Sequence, residues 1–204
     1  MLHYKTVNTK TLELLNKIQS VDIFRNLRLV GGTSLALQIG HRESIDLDFF
    51  GELNIDKFEI LSALNNLGTV EIKQSTKNIN IFSVNEIKVD IVNYPYPWLE
   101  KTHLEDNIKL AGKSDIAAMK LSAITGRGSK KDFIDLYFLL QEYTLMEMIK
   151  FYEQKYHDGS TFLVLRSLAY FDDADQEPIP KMLKIVDWHK VKEVITEKLK
   201  EYSD

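Results

Sequence analysis

Asp46 and Asp48 stand one residue apart inside Ile45-Asp46-Leu47-Asp48-Phe49-Phe50, and acids are disfavoured in the middle of a strand-forming apolar run. Read as a strand, the run turns both carboxylates to one face and Ile45, Leu47 and Phe49 to the other. Carboxylates this close repel unless a cation sits between them, and hard oxygen ligands suit a divalent metal. Upstream, Leu29-Val30-Gly31-Gly32-Thr33-Ser34 reads as a strand entering a helix through a glycine pair. Backbone N–H groups there could approach a phosphate at the helix N-terminus. Together the two segments predict metal-dependent chemistry on a nucleoside triphosphate. The plainer readings are an edge strand whose aspartates face water, and an ordinary strand-to-helix turn.

Further candidates extend this constellation. Asp90 is an acid inside Ile87-Lys88-Val89-Asp90-Ile91-Val92. A neighbouring strand could bring it beside the first two as a third carboxylate, able to bind a second metal and accept the proton of an attacking hydroxyl. His41, Arg42 and Ser44 lie in the loop leading to Asp46; Arg42 suits a phosphate contact or a surface ion pair, while His41 has no second histidine at metal-ligand spacing. Lys120 is the one charge in Ile116-Ala-Ala-Met-Lys-Leu-Ser-Ala-Ile124. A lysine there is costly unless it snorkels outward or meets an anion, either a triphosphate or a structural aspartate. Asp132 and Asp135 share a helix face at spacing three and could orient Lys120, reach a base or ribose, or hold the preceding loop. That loop, residues 125–131, gathers Arg127, Lys130 and Lys131 around two glycines. It reads equally as a solvated connection capped by Ser129 and as a patch for a triphosphate or an RNA backbone.

The elements that must position these residues follow from periodicity. Residues 11–25 predict a helix with Thr9 or Thr11 as N-cap, 27–30 a short strand, 33–39 a helix stopped by Gly40, and 56–67 a second amphipathic helix. Strands follow at 69–73, 79–84 and 87–92, the last two joined by a tight turn at Asn85-Glu86. Pro95 and Pro97 break the chain. Beyond them 114–125, 130–142, 145–157, 161–171 and 187–202 read as helices. The expectation is thus α+β: a mixed-sheet α/β core over 1–100 and a helical domain over 101–204, with the active site in the cleft between them. The 204 residues carry a net charge of −4, which excludes a globally basic nucleic-acid coat. No run of about 18 apolar residues predicts a membrane span, and the first residues lack the apolar core of a signal peptide. Zero cysteines exclude disulfides and thiolate metal sites, as expected of a cytoplasmic protein.

Two motifs carry a family resemblance. The segment from Gly31-Gly32-Thr33-Ser34-Leu35-Ala36-Leu37 through Gly40-His41-Arg42-Glu43-Ser44-Ile45-Asp46-Leu47-Asp48-Phe49-Phe50 resembles the first motif of AbiEii-type nucleotidyltransferases. These belong to the polymerase-β-like superfamily and include toxins of abortive-infection and toxin–antitoxin systems. Met119-Lys120-Leu121-Ser122-Ala123 and Lys131-Asp132-Phe133-Ile134-Asp135-Leu136 are similar to its later lysine and aspartate motifs. The resemblance spans residues 28–140. It implies a nucleotidyltransferase-like mixed sheet with flanking helices and a C-terminal helical bundle. By it Asp46 and Asp48 ligate Mg²⁺ or Mn²⁺, Gly32 with Thr33 or Ser34 holds the phosphates, Lys120 steadies the triphosphate, and Asp132 or Asp135 completes the site. The third strand acid, here Asp90, is less uniform in the family it resembles than in the wider superfamily. The implied reaction is attack of an acceptor hydroxyl, on tRNA or another RNA, at the α-phosphate of an NTP, with an antitoxin as partner. The rival expectations are a nucleotide-binding regulator without turnover, a small-molecule nucleotidyltransferase of the antibiotic-modifying sort, and an enzyme that modifies protein hydroxyls.

Overall fold

The computed structural model describes residues 1–203. The chain divides into two compact units, Met1–Pro95 with Thr102–Ala111, and Tyr96–Lys101 with Gly112 onward.

The first unit is built on a seven-stranded mixed sheet in the order β3-β4-β5-β2-β1-β7-β6. Its strands are β1 (Arg28–Val30), β2 (Leu47–Gly51), β3 (Val70–Ser75), β4 (Ile79–Val84), β5 (Ile87–Asn93), β6 (His103–Glu105) and β7 (Ile108–Leu110). Its helices are α1 (Thr9–Ser20), α2 (Gly31–Ile39) and α3 (Lys57–Asn65). Leu14, Leu15 and Ile18 of α1, Leu37 of α2, Ile60 and Leu64 of α3, and Leu47, Phe49, Phe82, Val89 and Ile91 of the sheet form one apolar core. Burial of that area is the main stabilising term. Strand alternation is clean in β2, where Leu47, Phe49 and Gly51 are buried while Asp48 and Phe50 are only half-buried.

Local chemistry explains the element ends. Asn8 caps α1, its Oδ1 accepting from the Thr11 N–H at 2.9 Å, in place of the expected Thr9 or Thr11. The helix stops at Ser20, and a 3₁₀ turn over Asp22–Phe24 tucks Phe24 into the core, so residues 21–25 leave the helical path. Asp56 and Glu59 form a capping box on α3. Gly40 closes α2 in the left-handed region at φ +68. Asn85 and Glu86, both at positive φ, make the expected two-residue turn between β4 and β5. A second such turn at Asp106-Asn107 joins β6 to β7. This hairpin escapes a periodicity reading because each strand has three residues and the turn lacks glycine. It returns the chain to the sheet, with Leu110 of β7 in parallel register with Leu29 of β1.

The second unit is helical: α4 (Lys113–Gly126), α5 (Lys130–Leu139), α6 (Leu145–Lys155), α7 (Thr161–Leu168), α8 (Asp172–Asp175) and α9 (Trp188–Ser203). α4 packs against α5, α6 and α7, and it is buried around most of its circumference, as an apolar-all-round segment must be. Thr144 and Glu147 form a capping box on α6. Lys155 of α6 is wholly buried, its Nζ 2.6 Å from Asp115 Oδ1 and 2.7 Å from the Pro97 carbonyl. Asp115 also accepts from the N–H groups of Leu99 and Glu100. These contacts place residues 96–101 with the helices, although the hairpin that follows them belongs to the sheet. Among the described residues, no helix is long and apolar enough to cross a membrane.

Candidate active site

Asp48 and Asp90 are register neighbours on the parallel strands β2 and β5, so their carboxylates share a face at one inter-strand spacing, about 4.8 Å. Val30 of β1 continues that row on one side and Ile81 of β4 on the other. The opposite face carries buried Leu47, Phe49, Val89 and Ile91. Asp46 lies just outside this row. β2 begins at Leu47, one residue after it, and the Asp46 backbone carbonyl accepts from the Thr33 hydroxyl. The expected strand from Ile45 is therefore shorter at its start.

Helix α2 begins directly after Val30, the residue registered against Asp48. Its N-cap residue is Val30, whose side chain offers no acceptor to the first N–H groups of the helix. Gly31 is required here twice over. Its φ is +68, and a Cβ on it would lie 2.3 Å from Asp48 Oδ2. A Cβ on Gly32 would lie 2.1 Å from Nη2 of Arg42, whose guanidinium is buried against the helix start and donates to the Glu43 carbonyl. The Thr33 and Ser34 side chains point inward. Thr33 Oγ1 sits 2.8 Å from Ser44 Oγ, and Ser34 Oγ accepts from Gln38 at 3.2 Å. Phosphate contacts from these two residues would therefore come from backbone N–H groups. His41 is fully buried in the same loop.

Lys88, a residue without a role in the sequence reading, is part of this site. It sits two positions before Asp90 on the same face of β5, and its Nζ is 2.6 Å from Asp90 Oδ2. Burial disfavours its charge, but the hydrogen bond to Asp90 and the charges of Asp90, Asp48 and Asp46 hold its pKa above the ordinary lysine value. The signal available in the sequence was the i, i+2 spacing of Lys88 and Asp90. The other Asp90 oxygen, Oδ1, is buried and has no hydrogen-bond partner among the described residues. Such an atom is expensive unless a cation or donor serves it.

Among the described residues, no three His, Asp or Glu side chains are grouped closely enough to hold a metal alone. The site nonetheless fits an ion that shares its coordination with a substrate. Two carboxylates stand side by side, one oxygen lacks a donor, and an uncapped helix start opens beside them. Mg²⁺ commonly takes one or two carboxylates plus substrate phosphates rather than an all-protein cage.

In the second unit Lys120 Nζ lies 2.9 Å from Asp132 Oδ1 and 2.5 Å from Asp135 Oδ2, all three side chains being nearly inaccessible. Arg127 grips Asp132 through Nε at 2.8 Å and Nη2 at 3.2 Å, and Ser129 donates to it at 2.6 Å. Burial pushes the Asp132 carboxyl up, but the Lys120 charge and these donors outweigh it and hold the group well below the usual carboxylate range. Ser129 occupies the N-cap position of α5 as expected, yet its hydroxyl serves Asp132 rather than a backbone N–H. Lys130 turns inward, its Nζ taken by the carbonyls of Glu177 and Asp175, so the 125–131 loop presents less positive charge than its composition suggests.

The model for the nucleotidyl transferase AbiEii toxins of type IV toxin–antitoxin systems matches residues 13–201. Protein aq_aa25 of Aquifex aeolicus (strain VF5) is 38% identical over 196 residues, 93% of this chain and 94% of that protein. JHP933 from Helicobacter pylori shares the fold with a TM-score of 0.55 at 18% identity, covering 95% of this chain and 92% of that one. So does MenT4, a nucleotidyltransferase toxin from Mycobacterium tuberculosis H37Rv, with a TM-score of 0.50 at 15% identity over 93% and 82% of the two chains. A family match over nearly the whole length, on a chain that sets two strand aspartates beside a Gly-Gly helix start, leads to one conclusion: the protein belongs to the AbiEii nucleotidyl transferase toxin family and is a nucleotidyltransferase.

Proposed function

We propose that the protein transfers NMP from an NTP to a hydroxyl of an RNA acceptor, tRNA foremost, in a reaction dependent on Mg²⁺ or Mn²⁺. It acts in the cytoplasm as the toxin of a toxin–antitoxin or abortive-infection pair, restrained by a cognate antitoxin. The observation that carries this reading is the side-by-side placement of Asp48 and Asp90 at the uncapped start of α2. The acceptor oxygen bonds to the α-phosphorus, the bond to the β-phosphate oxygen breaks, and pyrophosphate leaves. Asp48 and Asp90, with Asp46 nearby, are the ligands for the ion, which when bound offsets charge on the triphosphate. Backbone N–H groups of Gly32 and Thr33 take phosphate oxygens at the helix start. Asp90 takes the proton of the attacking hydroxyl. The protein's part is mostly positioning and charge compensation.

For Lys120 the proposal is narrower than the resemblance. With its ammonium held by Asp132 and Asp135, it orders α4 against α5. The test incubates the protein with each α-labelled NTP, Mg²⁺ and total tRNA, in parallel with an aminoglycoside as acceptor. Label on tRNA, lost by roughly 10³-fold or more in Asp48→Asn, is the expected result. Label on the aminoglycoside alone, or transfer surviving Asp48→Asn, overturns it.

A further inference from the structure

We propose that Lys88 is a built-in cation of the carboxylate site, standing in place of one of two divalent ions that Asp48 and Asp90 could otherwise gather. The inference rests on the functional reading above and adds how many ions the site takes.

Three features of the site carry it. First, Lys88 occupies one oxygen of Asp90 at 2.6 Å, and the two residues are fixed on one face of one strand. A second ion bound through that oxygen would have to displace an ammonium that the strand geometry returns to the same place. Second, the lysine answers more than its hydrogen-bond partner. Asp48 on β2 is the register neighbour of Asp90, which places the ammonium beside two strand carboxylates rather than in an isolated pair. Directly across on β4 stands Ser83, which brings no competing charge. Third, the two oxygens of Asp90 are in opposite states. Oδ2 has its cation, whereas Oδ1 is buried without a hydrogen bond among the described residues. One oxygen of that carboxylate is thus left for a divalent ion, and one is already neutralised.

An exposed lysine–aspartate pair two residues apart would ordinarily count for little. Lys88 is 44% exposed on its side chain, so its removal leaves the core alone and the fold intact. What its removal changes is the charge on the site. Without the ammonium, Asp90 Oδ2 becomes available and local negative potential rises, both of which favour a divalent cation.

Mn²⁺ with a nonhydrolysable NTP analogue is the probe, the bound ion counted by electron paramagnetic resonance in the 204-residue protein, in Lys88→Met and in Lys88→Arg. The expected result is one additional Mn²⁺ per chain in Lys88→Met, or binding tighter by roughly tenfold, with Lys88→Arg matching the parent protein. Equal count and affinity in Lys88→Met and the parent overturn the proposal, as does a gain in Lys88→Arg equal to that in Lys88→Met. Asp48→Asn is run alongside. If it keeps the parental count, the metal assignment of the functional reading fails, and that failure is read independently of the lysine comparison.

Discussion

The two acidic clusters of this protein handle charge in opposite ways. On the sheet, Asp90 has one oxygen held by a half-exposed lysine and the other buried with no donor among the described residues. In the helical unit, both oxygens of Asp132 are met: Oδ1 by Lys120 and Arg127, Oδ2 by Arg127 and Ser129. Asp135 shares the same lysine, and the Lys155–Asp115 pair repeats the pattern. Fully answered buried charges hold a fold in one arrangement. An oxygen left unanswered on a rigid strand costs stability and is retained where a ligand supplies the missing partner. Acid content alone does not separate a site from a strut; the state of each oxygen does.

The largest effect is expected from Lys120→Met. It leaves Asp132 and Asp135 buried without their shared ammonium, and losing one partner of such a network costs about 3–5 kcal/mol. Urea denaturation should show a large fall in midpoint at unchanged slope, whereas Asp48→Asn should leave the midpoint close to the parent. A Lys120→Met protein of parental stability but altered KM for NTP would move Lys120 from strut to site.

A smaller effect is expected at Gly31. Alanine there must adopt φ +68 and put its Cβ 2.3 Å from Asp48 Oδ2. The backbone conformation alone costs about 1–2 kcal/mol, and the clash shifts the carboxylate. Transfer should fall further than this loss of stability accounts for, with Gly40→Ala as control, since it also lies at φ +68 but meets His3 rather than an acid. Equal losses of transfer in the two variants would remove the link between Gly31 and Asp48.

Much of this contrast was legible in the sequence, but unevenly. Asp46 and Asp48 stood out because acids in an apolar run are a local anomaly, Asp90 drew its weight only from combination with them, and the Asn85-Glu86 turn set the register of β4 on β5. Lys120 raised the right question, since a lone charge on an apolar helix needs an anion, and Asp132 and Asp135 were already candidates for orienting it. What escaped the sequence was what depends on distant pairing. The β6–β7 hairpin exists because Leu110 pairs with Leu29, far away along the chain. The inward turn of Thr33 and Ser34 follows from the approach of Ser44 and Asp46 to α2. Lys88 looks like an ordinary solvated strand lysine until Asp48 is registered beside Asp90.

Acid should separate the clusters once more, with the smallest effect. Asp132 is held below its unfolded-state value because folding brings it Lys120, Arg127 and Ser129, against the opposing effect of burial. A carboxyl depressed on folding contributes stability that is complete above the unfolded pKa, near 3.9, and is lost as pH falls toward the folded value. Between pH 4 and pH 3 the unfolded chain takes up the proton while the folded one does not, so stability should drop by about 1 kcal/mol from this group. An Asp132→Asn protein, less stable at neutral pH, should lack that part of the acid sensitivity. If the parent and Asp132→Asn lose stability equally between pH 4 and pH 3, Asp132 is not the group that the helical unit holds ionised, and the distinction between answered and unanswered carboxylates loses its best-defined member.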